Sequence, residues 1–92
     1  MENTVHREQI QEPELAVALN EVKSHLQFRL EQKGYGTFAS RHEILGVMTE
    51  EYHELVGAVT NGTDQDITHE LLDLAVAAVF GFACHEGEHT DW

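Results

Sequence analysis

Apolar residues fall into three stretches of helical spacing, separated by short polar breaks that carry glycine. Leu15, Leu19, Val22, Leu26 and Leu30 recur at intervals of four and three. A first helix is therefore predicted to begin at Pro13, a favoured first-turn residue, and to stop at Gly34. Ser40 followed by Glu43 reads as a capping box for a second helix, whose apolar stripe is Ile44, Leu45, Met48, Tyr52, Leu55 and Val59 and whose end is marked by Asn61 and Gly62. A third helix is predicted from about Ile67 to Cys84, with Asp64 or Asp66 as its cap. No stretch shows the strict alternation of a half-buried strand, so the fold class is all-α. The chain divides into a polar arm at 1–12, anchored only by Val5 and Ile10, a helical domain at 13–84 and a short acidic tail at 85–92.

The third helix is apolar on every side. Ile67, Leu71, Leu74, Ala75, Ala78, Val79 and Phe82 fill one flank, while Leu72, Val76, Ala77 and Phe80 cover the others. A helix of that kind is buried all round, and two partner helices from a chain of 92 residues are too few to enclose it. The expectation is three main helices per chain in a helical bundle completed by oligomerisation, as a homodimer.

Charge narrows the function. Seventeen acids against five bases give a net charge of -12, which repels phosphate backbones and anionic bilayers and argues against direct binding of a nucleic-acid polymer. The longest apolar run, Leu71 to Cys84, is too short to span a bilayer and contains Asp73, so no membrane association is expected. A single cysteine and an N-terminus without a basic-then-apolar pattern point to the cytoplasm.

Acidic pairs spaced three apart occur at Glu51/Glu54, Glu70/Asp73 and Glu88/Asp91, and about three are what chance supplies at this acid content. Their surroundings separate them. The first two pairs lie inside apolar helices, and Asp73 is the only charged residue from Leu71 to Cys84. Each pair presents two carboxylates on one helix face. Four anions gathered at a core edge repel one another and lose hydration, a cost that a bound dication removes. Oxygen ligands alone favour a hard ion, so Glu51, Glu54, Glu70 and Asp73 are candidate ligands for magnesium, with manganese second.

Other residues carry weaker signals. Glu50/His53 and Glu86/His89 have the Glu-x-x-His spacing of di-iron bundles, but the second pair sits in a glycine-broken tail. His42 and His69, in first turns, read as surface residues, and Cys84 as a packed small side chain. Tyr35 and Phe38, in the loop after the first helix, are suited either to stacking on a nucleobase or to capping a core.

The string Glu50-Glu51-Tyr52-His53-Glu54, followed after a loop by Glu70-Leu71-Leu72-Asp73, resembles the EExxE and ExxD signature of the MazG-like all-α nucleoside triphosphate pyrophosphohydrolases. The resemblance implies magnesium bound by Glu51, Glu54, Glu70 and Asp73, and a bundle assembled as a dimer or a dimer of dimers. The implied reaction is attack of water on the α-phosphorus of a nucleoside triphosphate, giving the monophosphate and pyrophosphate. Glu50 is then a candidate to polarise the water or to hold a further ion. Members of the family usually continue into a basic C-terminal helix, whereas here no Lys or Arg follows Arg41. Cations for the phosphates must come from Lys23, Arg29, Lys33, Arg41 or a neighbouring subunit, and Lys33 and Arg41, bracketing the loop before the motif helix, are the preferred candidates. The alternative is a catalytically silent metal-binding bundle that serves as a binding or assembly module.

Overall fold

A computed structural model describes residues 7–90, which form three α-helices and no strand: α1 (Glu12–Lys33), α2 (Arg41–Asn61) and α3 (Asp64–Glu86). Val5, and Asp91 of the third acidic pair, lie outside the described residues.

The helix ends follow local chemistry. In α1 the Gln11 N–H donates to Glu14 Oε1 at 2.8 Å, and the chain leaves the helix at Gly34, whose φ of 93° suits a residue without a Cβ. Ser40 caps α2 as predicted, accepting from the Glu43 N–H at 3.2 Å, but the Glu43 carboxylate reaches back one residue further, to the Ala39 N–H. The predicted cap of α3 is corrected. Thr63 holds that position, its hydroxyl accepting from Asp66 N–H at 3.1 Å while Asp66 Oδ2 accepts from Thr63 N–H at 3.0 Å. These two bonds close a reciprocal box and start the helix at Asp64, about a turn earlier than the apolar pattern indicates. The Thr63 backbone N–H and then its hydroxyl hold the Asp66 carboxyl below its usual range.

At its other end α3 runs two residues past Cys84. It stops in a Schellman turn, in which His89 N–H donates to Cys84 O and Glu88 N–H to His85 O, both at 3.0 Å. Glu88 takes the left-handed position at φ 62°, where glycine is the ordinary occupant. The tail-residue Thr90 is thereby tucked inward and buried.

α3 packs against both other helices, more extensively against α2, whereas α1 and α2 do not pack on each other. The two-residue link at Gly62 and Thr63 makes α2 and α3 antiparallel neighbours. Gly81 lets them close: it is buried, and a Cβ there would lie 3.3 Å from Ile44 Cγ2 and 3.6 Å from the Phe38 ring. Phe38 in turn meets Phe80 edge to face, with centroids 5.2 Å apart, so this loop aromatic caps the core as one of its two sequence readings held. Tyr35 stays exposed.

With α1 and α2 splayed over α3, a cleft is left between them. The splay also keeps the molecule open. Its radius of gyration is 16.0 Å, against about 12 Å for a compact chain of this length. Among the described residues the buried apolar side chains are Ala58, Val76 and Cys84. α3 is long and apolar enough to cross a membrane by length and composition, which the shorter run Leu71 to Cys84 does not suggest.

Two substitutions test the helix ends. Thr63→Ala is expected to lower stability by about 1 kcal/mol through loss of the cap. Glu88→Gly is expected to raise it by about 0.5–1 kcal/mol through relief of the left-handed residue. Urea unfolding followed by circular dichroism measures both, and equal midpoints for the three proteins would contradict this account of how α3 ends.

Candidate metal centre

α2 and α3 bring their acidic pairs into two overlapping groups. On α2, Glu51 is half-buried and Glu54 exposed; on α3, Glu70 and Asp73 are half-buried. Ligand atoms of Glu51, Glu54 and Glu70 lie within 4.8 Å of one another, and so do those of His69, Glu70 and Asp73. Two oxygens on one cation at 2.0–2.6 Å are at most about 4–5 Å apart, so either group is within reach of a single ion. Glu70 belongs to both groups, the position of a bridging carboxylate.

The electrostatics agree with the geometry. Glu51 Oε1 and Glu70 Oε1 are buried with no hydrogen-bond partner, a condition that is costly for a carboxylate. Burial, and then the negative charges of Glu54, Asp73 and Glu70, push the Glu51 carboxyl above its ordinary range, while Arg29 opposes them. Burial, and then Glu54 and Asp73, push Glu70 upward, opposed by His69. Orphaned acceptor oxygens in a nest of like charges are what a dication satisfies, so these residues fit one.

Asp73 is held differently, by His25, Arg29 and His69, a pairing that the sequence does not show. Its Oδ1 lies 3.2 Å from His25 Nε2 and accepts from Arg29 Nη1 at 3.3 Å, and its Oδ2 lies 3.4 Å from His69 Nε2. His69, exposed as its first-turn position predicts, also borders the site. His25 and Arg29 sit one turn apart on α1, flanking Leu26 and Leu30. Two basic side chains at that spacing beside an apolar stripe were the available signal. What they face is a matter of tertiary packing.

The cleft beside the carboxylates has a volume of about 400 Å³ and is lined from all three helices. Glu50, Glu51 and Asp73 form its acidic end, Arg29 and Lys33 its basic wall, and Leu26, Leu30, Val47, Val76, Ala77 and Phe80 its apolar surface, with Gly34, Gly36 and Phe38 from the loop. Of the residues singled out from sequence, Glu50, Glu51, Asp73, Arg29, Lys33 and Phe38 line this cleft. Glu54, Glu70 and Arg41, the first residue of α2, are not in its lining, so Arg29 rather than Arg41 joins Lys33 there. Comparison with protein-family models, curated proteins and solved structures gives no match.

A pH dependence follows. Both raised carboxyls hold protons in the folded chain above their ordinary value of 4.5. The folded form therefore binds more protons than the unfolded one from about pH 4.5 upward, and this contribution to stability is lost as pH rises through the raised values. In chelator-treated protein the Tm is expected to fall between pH 4.5 and 7, and Glu51→Gln is expected to raise the Tm at pH 7 and flatten the fall. A variant with the wild-type profile would show that Glu51 is not repelled by its neighbours.

Proposed function

We propose that the chain is a magnesium-dependent nucleoside triphosphate pyrophosphohydrolase of the MazG-like kind, acting on free nucleotides in the cytoplasm. The observation that carries the reading is the gathering of two helix-borne acidic pairs, with orphaned buried oxygens on Glu51 and Glu70, beside a cleft that Glu51 and Asp73 line together with cationic and apolar side chains. A polyphosphate joined to a flat apolar base needs those three surfaces together. Glu51, Glu54, Glu70 and Asp73 are the residues that hold magnesium, with manganese as a substitute. When bound, such ions neutralise the triphosphate and lower the pKa of a coordinated water.

The remaining roles belong to side chains of this chain. Glu50 lines the cleft and is exposed to water there, so it can accept the proton of a water aimed at the α-phosphorus. The new bond forms between that water oxygen and phosphorus as the bridging oxygen leaves with pyrophosphate. Lys33 neutralises phosphate oxygens from the cleft wall. The apolar side chains of α1 and α3 take the base, excluding water from one side of it.

A second copy of the chain completes the fold in this reading. The accessible surface of 7303 Å² is roughly a third more than the about 5,400 Å² of a compact monomer of this mass. Leu45, Tyr52, Val56 and Val59 make one exposed stripe along α2, and Leu71, Val79 and Phe82 another on α3. Burying such stripes against their symmetry mates gives the helical bundle that the apolar pattern of α3 calls for.

With magnesium and a panel of triphosphates, the purified protein is expected to release pyrophosphate, and Glu54→Gln or Asp73→Asn to reduce the rate by at least about 100-fold. Silence of the wild type across the panel favours the binding-module alternative. Light scattering is expected to return at least twice the 10.4 kDa chain mass; a monomer at micromolar concentration contradicts the assembly.

A further inference from the structure

We propose that Arg29 is an exchangeable counter-ion, paired with Asp73 while the carboxylate cluster holds no dication, and turned together with Lys33 onto a phosphate group in the cleft once it does. The inference rests on reading the cluster as a dication site in a nucleotide cleft.

Its basis is where the positive charge sits. Arg29 Nη1 is 3.3 Å from Asp73 Oδ1, the same oxygen that faces His25 Nε2, so an ion that binds through this oxygen competes with the guanidinium for it. A dication and a guanidinium crowded onto one carboxylate repel strongly, and the site is only partly screened by water, since the Asp73 side chain is 13 % exposed. An ion that takes Oδ1 displaces the guanidinium. Arg29 can leave, because its side chain is 34 % exposed and borders the open cleft.

The destination is set by the same helix. Lys33 follows Arg29 by one turn on the same face of α1, lines the same cleft and makes no ion pair among the described residues. A released guanidinium beside that ammonium gives two cations on one wall, with the forked donor geometry that suits phosphate oxygens. Arg29 therefore opposes the ion and assists the phosphate. By linkage, ion and phosphate strengthen each other's binding through it.

Calorimetric titration with magnesium alone, and then with inorganic triphosphate at saturating magnesium, tests this on the full chain. Arg29→Gln is expected to bind magnesium about tenfold more tightly and triphosphate about tenfold more weakly than the wild type. Lys33→Gln is expected to weaken triphosphate while leaving magnesium affinity within about twofold of the wild type. In the wild-type chain the Arg29 side-chain N–H resonance is expected to shift when magnesium is added, a reading that needs no variant to fold. Unchanged or weaker magnesium binding in Arg29→Gln, equal tightening in Lys33→Gln, or a stationary Arg29 resonance would overturn the exchange while the dication site stands. No magnesium binding by the wild type would remove both.

Discussion

Asp73 stands as the sole charge in the apolar length of α3, and the arrangement around it depends on how that charge is answered. From α1 come His25 and Arg29, which draw the first helix onto the third. From α2 come Glu51 and Glu54, which bring more negative charge to the same place. The first pairing is ordinary charge compensation. The second is not, because Glu51 and Glu70 each keep a buried oxygen without a partner. Gathering like charges at a partly dehydrated point costs stability, and the raised Glu51 and Glu70 carboxyls express that cost, which is why the proposed reading gives them a cation.

The helices make this possible by not closing up. Since α1 and α2 meet α3 but not each other, the gap between them is lined by acids of α2 and α3, by the cations of α1 and by apolar side chains of all three helices. The same splay leaves apolar side chains exposed on all three helices.

The sequence held the helices and the acids in readable form, because both are local. Leu15 to Leu30 set the period of α1, Gly34 and Gly62 its breaks and those of α2, and the acid spacing within each helix fixes which carboxylates share a face. The start of α3 was misjudged because Thr63, and not an aspartate, supplies the cap, with Asp66 completing the box from the third helical position. The basic side of the site was harder to see. Lys33 is favoured by its closeness to the glycine loop and Arg29 stands among the other candidates, but the contacts of Arg29 and His25 with Asp73 span more than forty residues of sequence and are not set by any local pattern. Arg41 was favoured by position in the chain and lies away from the cleft for the same reason.

The claim on which the account turns is that the four carboxylates bind one dication or more as a unit. Manganese titration followed by electron paramagnetic resonance reads this directly, because the sharp signal of free aqueous manganese is broadened when the ion is immobilised. The account predicts saturable loss of the free signal with wild-type protein, reversed by excess magnesium and weakened at least about tenfold by Glu70→Gln, which removes the ligand shared by both groups. A free-ion signal that stays unchanged as protein is added, or a Glu70→Gln variant that binds manganese as well as the wild type, would contradict it.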